Sequence, residues 1–267
     1  MIRLAVRVRR EHSEAVLAEL LELAPGGVEE VDRGGAIEYA LYGPPGELPA
    51  LPDLRAAAGD ALVDVSTEEI ADDWADRWRE FHKSLVLGRR LTVRPPWEPP
   101  SDTPIDVVID PGAAFGTGAH ATTRMCLELM LSLPGRGPFV DLGCGSGVLA
   151  IAAARLGYEP VLAVDYDPAA IEATGANAAA NRVELELGRV DLRAESVPVA
   201  SNVVANLLTA LLVPCAVPLG RGAERVIASG VLAEEADTVA AAFAAAGLPE
   251  RRRLQDGDWV ALLLEAG

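Results

Sequence analysis

The chain has 267 residues, half of them hydrophobic, which is enough to bury one large core and a small second one. Its formal net charge of -17 at pH 7 excludes a generally basic, nucleic-acid-coating protein and favours either a basic partner or a surface kept soluble by charge. The three cysteines lack metal-ligand spacing, so we expect no metal site, no disulfides and a cytoplasmic location.

No segment predicts a membrane span. The most apolar stretch, residues 207–219, is shorter than the roughly 20 residues that a span needs, and it is interrupted by prolines. The first residues alternate apolar and basic side chains, which is not the pattern of a signal peptide. We therefore expect no membrane partner. The net negative charge likewise predicts no direct contact with nucleic acid.

The first 66 residues carry the pattern of a small α+β domain, with Gly34-Gly35 as a hairpin signal. The predicted elements run strand, helix, strand, strand, helix, strand, at residues 2–8, 12–23, 28–31, 36–42, 51–58 and 62–66. This order is typical of a ferredoxin-like fold, and we predict that residues 1–66 recognise the substrate. Basic residues of the first strand are either a docking surface or the solvated side of an edge strand: Arg3, Arg7, Arg9 and Arg10.

Residues 67–104 predict a linker helix followed by a connecting segment. Trp74, Trp78 and Phe81 share one helical face, which indicates ordinary packing in preference to a grip on substrate. A strand-like run that begins at Leu91 leads into a proline-rich stretch. Since proline cannot continue a helix there, we predict an exposed connection.

From residue 105 to the end, strands alternate with helices. Extended runs are expected at residues 138–142, 161–165, 184–190, 202–206, 225–229, 249–255 and 259–264. The alternation predicts a mostly parallel seven-stranded sheet with helices on both faces. Asp256-Gly257 joins the last two strands and is a hairpin signal, so one strand is expected to be antiparallel.

A strand, a glycine-rich turn and a helix meet in the run VDLGCGSG, residues 140–147. Glycines let backbone N–H groups approach a small charged ligand without obstruction by a Cβ atom. Glycines alternate here, as at Gly143 and Gly145, and Val148 holds the sixth position, which disfavours the dinucleotide pattern G-x-G-x-x-G. Asp141 would repel a pyrophosphate but can meet an ammonium group, directly or through water. We therefore expect a zwitterionic ligand.

Further carboxylates follow the next strands. Asp165 ends a strand in the run VDYDP, where a carboxylate can accept both hydroxyls of a ribose; the alternative is a helix cap. Asp167 is a candidate cap for the following helix, beside Pro168. Asp191, after the third strand, either reaches an adenine amino group or lies in a solvated turn.

VDLGCGSG followed by VDYDP resembles the class I S-adenosylmethionine-dependent methyltransferases. The segment IDPGAAFGTGAHATTRMCLELM, residues 109–130, is similar to the segment before the glycine loop in the ribosomal protein L11 methyltransferase family, PrmA. The similarity runs through most of residues 70–235, although Ala121 stands where the family usually has proline and Thr209 where it usually has alanine. The resemblance implies an α/β, Rossmann-like methyltransferase domain at residues 105–267, with a small ferredoxin-like domain before it.

The resemblance also implies which residues bind the cofactor, S-adenosylmethionine. Four positions match the family's cofactor contacts: Thr123, Gly143, Asp165 and Asn206. Asp141 and Gly145 complete the expected loop contacts. Phe115 and Gly116, in the run FGTG, either close over the methionine moiety or form a plain glycine turn. Thr123 is alternatively the N-cap residue of a helix.

The expected reaction is methyl transfer to an amine. A sulfonium leaving group departs neutral, so alignment of nucleophile, methyl group and sulfur matters more than acid–base help. Asn206 is predicted to orient the amine and is the candidate catalytic residue. His120 is more typical of a structural histidine than of one that touches substrate. The family methylates lysine side chains and the N-terminal amine of ribosomal protein L11, and that basic substrate is implied here.

Two other functions stay open at this point. In one, the acceptor is another protein or a small-molecule amine; in the other, the chain is a non-catalytic, cofactor-binding assembly factor. An adenine- or glutamine-directed methyltransferase is disfavoured, because the run NLLT, which starts at Asn206, lacks the prolines and the aromatic residue of an N-P-P-Y type sequence.

Overall fold

The computed structural model describes residues 2–13, 16–17, 20, 28–43, 48–69, 83–110 and 120–267. The described residues divide between two compact units, one that ends at residue 69 and a larger one that begins at residue 83. Some predictions lie outside the described residues: the linker helix with the aromatic face formed by Trp74, Trp78 and Phe81, and the contacts of Phe115 and Gly116.

The smaller unit is built on a four-stranded antiparallel sheet. Its labelled elements are β1 (Ile2–Arg9), β2 (Glu29–Asp32), β3 (Ala36–Gly43), α1 (Leu51–Ala58) and β4 (Leu62–Glu69). The helix predicted at residues 12–23 is described only in part, and its described residues from 13 onward are helical. The strand order β2-β3-β1-β4 is that of a ferredoxin-like fold, which confirms the fold predicted for this region.

Strand β1 lies in the middle of the smaller sheet. It pairs with β3 on one side and with β4 on the other. Leu4, Val6 and Val8 enter the core of this unit, and Arg3 and Arg7 alternate onto the opposite face because successive strand residues point to opposite sides. The expectation of an edge strand is therefore wrong, since both sides of the β1 backbone are paired.

A small sheet forms part of the larger unit. Its strands are β5 (Leu85–Leu87), β6 (Leu91–Arg94) and β7 (Ile105–Val108). Strand β6 is buried along its whole length and pairs antiparallel with β5 and parallel with β7. The Arg94 guanidinium donates to both oxygens of Asp106, from Nε at 2.9 and 3.0 Å. Strands β5 and β6, which fall inside the segment predicted as linker at residues 67–104, thus belong to the larger unit, and the strand-like run predicted from Leu91 is β6.

The main sheet of the larger unit has seven strands. They are β8 (Phe139–Leu142), β9 (Val161–Asp165), β10 (Glu186–Arg189), β11 (Asn202–Asn206), β12 (Arg225–Leu232), β13 (Glu250–Asp256) and β14 (Trp259–Glu265). They lie in the order β10-β9-β8-β11-β12-β14-β13. Only β14 runs against the others, pairing antiparallel with both β12 and β13. The predicted mostly parallel sheet, with one antiparallel strand, is confirmed.

Helices cover both faces of this sheet. Those described are α2 (Ala121–Leu131), α3 (Val148–Leu156), α4 (Pro168–Asn181), α5 (Thr209–Leu219) and α6 (Ala236–Ala245). One buried cluster includes Met125 of α2, Ile151 of α3 and Ala178 of α4. A second cluster includes Leu212 of α5 and Phe243 of α6. Two separate apolar layers therefore sandwich the sheet, as the alternating pattern predicts.

The strand order reverses around β8, which lies between β9 and β11. All three strands are parallel, so their carboxyl ends meet at one edge of the sheet. Ligands of open α/β sheets bind at this edge, where the order reverses. The loop 143–147 follows β8, Asp165 ends β9 and Asn206 ends β11. Four of the predicted contacts therefore lie at this edge: Gly143, Gly145, Asp165 and Asn206.

Candidate active site

The glycine loop has a backbone that side chains would obstruct. Gly143 and Gly147 have φ angles of +75° and +81°, in the left-handed region that favours glycine. A Cβ atom at Gly143 would lie 2.4 Å from Leu207 Cδ2, and one at Gly147 would lie 2.7 Å from Thr174 Cγ2. The two glycines are thus needed both for their conformation and for the space that Leu207 and Thr174 occupy.

Hydrogen bonds tie this loop to the end of β9. The N–H groups of Gly143 and Cys144 donate to Val164 O at 2.9 and 3.0 Å. The N–H of Gly145 donates to Asp165 Oδ2 at 3.0 Å. The loop and the Asp165 carboxylate therefore hold each other in place.

Asp141 lies beneath the loop and is 1% exposed. Its Oδ2 accepts from Ala150 N, in the first turn of α3, at 3.0 Å. This bond caps the helix from outside its own N-terminus, because the N-cap residue, Gly147, has no side chain. Its Oδ1 is buried and has no hydrogen-bond partner among the described residues. Burial raises the pKa of Asp141 to about 7.

A buried acceptor with no donor is costly, and an ammonium group supplies both a donor and the opposite charge. The Asp141 carboxylate beneath the loop thus suits the amino group of a methionine moiety. Each oxygen of the Asp165 carboxylate accepts one backbone N–H and can accept one further hydrogen bond. Because the side chain is only partly buried, these positions suit the two hydroxyl groups of a ribose. The residues present therefore fit an amino-acid nucleoside.

Asp165 and Asp167 have distinct roles at the start of α4. Asp167 is the N-cap: its side chain accepts from Ala169 N at 2.8 Å, with Pro168 in the first turn. The Asp165 Oδ1 atom accepts instead from Asp167 N at 3.1 Å. The cap predicted at Asp167 is confirmed, and the alternative that Asp165 caps the helix is wrong.

Asp191 is engaged by its own turn. The Arg193 side chain donates from Nε to Asp191 Oδ1 at 2.9 Å, and Arg193 N donates to the same oxygen at 3.0 Å. These bonds, the Arg193 side chain foremost, lower the pKa of Asp191. The Arg193 guanidinium also lies 5.1 Å from the ring centre of Tyr166. The arrangement favours the turn, and the contact of Asp191 with an adenine stays a prediction.

The start of α2 meets the end of β11. Asn206 Nδ2 lies 3.2 Å from Thr122 Oγ1 and 3.4 Å from Thr123 Oγ1 and donates to both. The N-cap of α2 is His120, whose Nδ1 accepts from Thr122 N at 3.4 Å. Thr123 is therefore not the cap, and that alternative is wrong. Thr123 and Asn206, two predicted cofactor contacts, are brought together here.

Sequence reasoning missed two members of this cluster. Thr122 lies 2.8 Å from His120 Nδ1 through its Oγ1 and so links the imidazole to Asn206. The Trp259 ring contacts the His120 ring edge-on, with centres 5.2 Å apart. Burial lowers the pKa of His120, which keeps Nδ1 able to accept. The pair of consecutive threonines, Thr122 and Thr123, is a sequence signal that could have identified Thr122. No sequence signal connects Trp259 with His120, because the two are far apart along the chain.

Within the described ranges, no helix is long and apolar enough to cross a membrane. The same residues contain no group of three or more His, Cys, Asp or Glu side chains that could hold a metal ion.

A mostly parallel seven-stranded sheet with one reversed strand, a glycine loop after β8 and a carboxylate at the end of β9 define a class I S-adenosylmethionine-dependent methyltransferase. Residues 53–266 match the family described as ribosomal protein L11 methyltransferase (PrmA). The chain belongs to that family. The predicted family, fold class and cofactor are confirmed.

Relatives of this family align with most of the chain. It is 36% identical over 258 residues to the ribosomal protein L11 methyltransferase of Geobacter sulfurreducens, covering 89% of this chain and 83% of the relative. That of Pelotomaculum thermopropionicum is 43% identical over 215 residues, covering 74% and 67%. A crystal structure of ribosomal protein L11 methylase from Lactobacillus delbrueckii subsp. bulgaricus is 27% identical, with a TM-score of 0.63, covering 70% of this chain and all of that one.

Proposed function

We propose that this methyltransferase transfers methyl groups from S-adenosylmethionine to amines of ribosomal protein L11, on lysine side chains and at the N-terminus. The observation that carries the proposal is the fixed amide of Asn206 at the end of β11, held by two threonine hydroxyls. The names of the relatives support the choice of L11. We place the reaction in the cytoplasm.

The cofactor would be held by groups on strands β8, β9 and β11, on the glycine loop and on helix α2. The proposed contacts are Thr123, Asp141, Gly143, Gly145, Asp165 and Asn206, with Phe115 and Gly116 proposed to close over the methionine moiety. Asp141 would take the ammonium group and Asp165 the ribose hydroxyls. When bound, S-adenosylmethionine supplies a methyl group activated by its sulfonium.

The acceptor amine must reach the site without a proton. At pH 7, removing it from a lysine of ordinary pKa 10.4 costs about 4.6 kcal/mol, and transfer into a partly buried site lowers that cost because burial favours the neutral amine. Asn206 Nδ2 donates to the threonines, so Oδ1 is the atom of this amide that can accept an N–H of the amine. Orientation of the lone pair is thus the main contribution of Asn206.

Charge supports a basic protein substrate. The chain carries a net charge of -17, and opposite charges speed encounter and disfavour wrong partners. This argument applies equally to other basic proteins, so the preference for L11 over another protein or a small amine depends on the relatives. A direct test must offer these acceptors side by side.

The test uses the purified full chain, labelled S-adenosylmethionine and purified L11, with total RNA and other ribosomal proteins as competing acceptors. Label is expected in L11, with successive methyl additions in its mass spectrum. Label in RNA or in other proteins alone would contradict the proposal. Cofactor binding without transfer to any acceptor would instead favour an assembly factor.

Asn206→Ala is expected to lower kcat at saturating cofactor about hundredfold, because a misplaced nucleophile loses most of the benefit of alignment. Asn202→Ala is the matched control: Asn202 begins the same strand and its amide donates to Arg136 O and Pro138 O, at the opposite end. Activity is compared per folded molecule. Equal losses in both variants would contradict a specific role of Asn206 in the transfer step.

A further inference from the structure

Helix α4 carries a row of polar side chains on its buried face. Thr174, Asn177 and Asn181 follow one another at spacings of three and four residues, which places them on one side of the helix. All three are buried, at 0%, 4% and 2% exposure. Threonine and asparagine have low helix propensity, and buried polar groups need hydrogen-bond partners. Each of these side chains therefore requires a hydrogen-bond partner inside the fold.

Thr174 contacts the glycine loop directly. Its Oγ1 donates to Gly145 O at 3.0 Å and lies 3.3 Å from Cys144 Sγ. Its methyl group occupies the space beside Gly147 that a Cβ atom would need. One side chain thus fixes a loop carbonyl and fills the gap behind the last glycine.

Asn177 connects the same loop to the chain after β7. Its Nδ2 donates to Ser146 O at 2.9 Å, and its Oδ1 accepts from Asp110 N at 3.0 Å. A single amide therefore satisfies one backbone acceptor and one backbone donor that are 36 residues apart in sequence. The loop cannot move relative to residue 110 without breaking one of these bonds.

Asn181 anchors the end of the row. Its Oδ1 accepts from Val108 N at 2.8 Å, and its Nδ2 donates to Val108 O at 2.6 Å. The same Nδ2 also donates to Asn177 O at 2.8 Å. The amide thus binds β7 as a neighbouring strand would and ties it to α4.

The polar row on α4 determines the orientation of the peptide planes in the glycine loop. The carbonyls of Gly145 and Ser146 point towards α4, where Thr174 and Asn177 hold them. In a trans peptide the following N–H points the opposite way, so these bonds fix the planes on both sides of Ser146. The N–H of Gly145 is in turn bonded to the Asp165 carboxylate. A continuous set of hydrogen bonds therefore runs from α4 through the loop to Asp165.

We infer that Thr174 and Asn177 are positioning residues for S-adenosylmethionine: they hold the glycine loop, and Asp165 through it, in the geometry that binds the cofactor before it arrives. The inference rests on the proposed use of this loop as the cofactor site. It adds residues that do not themselves touch the cofactor. Their effect is on cofactor affinity, because a loop that is already ordered loses less entropy on binding.

The test is Thr174→Val, which removes the hydroxyl and keeps the shape. Loss of one buried hydrogen bond that orders the loop is expected to weaken S-adenosylmethionine binding about three- to tenfold. Calorimetry on the full chain without L11 measures this directly. KM for the cofactor is expected to rise by the same factor while kcat at saturating cofactor stays within about twofold, because Thr174 is bonded to the glycine loop, whereas Asn206 is bonded to Thr122 and Thr123.

Thr92→Val is the matched control. Thr92 is buried in β6, and its hydroxyl accepts from Thr103 Oγ1 at 2.9 Å, so the variant loses a comparable bond away from the loop. Both variants are expected to lower the thermal midpoint, and only Thr174→Val to lower cofactor affinity. An affinity loss in Thr174→Val no larger than in Thr92→Val would overturn the inference. Failure of the wild-type chain to bind the cofactor would instead refute the proposed function.

Discussion

Each of the two units buries a carboxylate on a strand, and the two carboxylates have opposite surroundings. In the smaller unit, Glu38 of β3 accepts from Arg3 at 2.7 Å, Arg7 at 2.6 Å and Arg33 at 2.8 Å. In the larger unit, Asp141 accepts one backbone N–H and keeps one oxygen without a partner among the described residues. A fully paired buried charge stabilises the fold, whereas the half-paired carboxylate beside the glycine loop fits its proposed contact with the ammonium group of the cofactor.

The pKa values follow this difference. The Arg33 guanidinium, with Arg3 and Arg7, lowers the pKa of Glu38 to about 2 against the effect of burial. Burial raises the pKa of Asp141 to about 7 because a single backbone donor compensates little. Ionised Glu38 therefore stabilises the folded chain, while ionised Asp141 destabilises it until a cation binds.

The largest effect on cofactor affinity is expected from removing the charge of the carboxylate beneath the glycine loop. Asp141→Asn keeps an acceptor for Ala150 N but removes the charge, and S-adenosylmethionine affinity is expected to fall about hundredfold, since removing one partner of a buried charge pair costs about 2–5 kcal/mol. Calorimetry on the full chain measures it. The thermal midpoint at pH 7.5 should not fall, because the variant no longer buries a charge. Unchanged affinity would mean that another group holds the ammonium.

A smaller effect is expected from pH alone. Only ionised Asp141 pairs with an ammonium, so cofactor binding is expected to be about fivefold tighter at pH 7.5 than at pH 6, the gain being limited by deprotonation of the free amine near pH 8. Calorimetry at pH 6 in two buffers of different ionisation enthalpy should show proton release on binding, because Asp141 is mostly protonated there and the free amine is already charged. In Asp141→Asn the dependence should disappear. A dependence retained in that variant would assign it to a different group.

The same contrast explains what was predictable from the sequence. The glycine loop, Asp165 and Asn206 could be located because the loop directly follows a strand and the other two each end one. In a parallel sheet the carboxyl ends of the strands meet at one edge. Local pattern and strand order were sufficient for these residues. The lack of a partner for Asp141 Oδ1 among the described residues was not predictable, because it depends on which donors the fold brings near.

Partners distant in sequence account for the other misses. The sequence predicts Arg3 and Arg7 on a docking surface or on an edge strand. In the structure both bind Glu38, more than 30 residues away, because β1 lies between β3 and β4. His120 caps α2 in place of Thr123, because a neutral imidazole can accept and its burial keeps it neutral. Alternation along one strand shows which residues share a face, not which strand lies beside it.

The smallest effect on the cofactor is expected from the other carboxylate. Glu38→Gln makes the same acid-to-amide change as Asp141→Asn, and S-adenosylmethionine affinity should stay within twofold of wild type. Its effect is on stability: at pH 7 the thermal midpoint is expected to fall by several degrees, roughly what loss of charge-assisted hydrogen bonds costs.

The pH dependence of this loss has a defined sign. Because the pKa of Glu38 is lowered in the folded state, its contribution is complete above the unfolded value near 4.5 and is lost as pH falls towards 2. The midpoints of wild type and Glu38→Gln should therefore converge between pH 4.5 and 2. For Asp141→Asn the difference should instead open in the variant's favour as pH rises from 4 to 7. A constant difference for Glu38→Gln at all pH values would show that shape, not charge, makes Glu38 necessary to the smaller sheet.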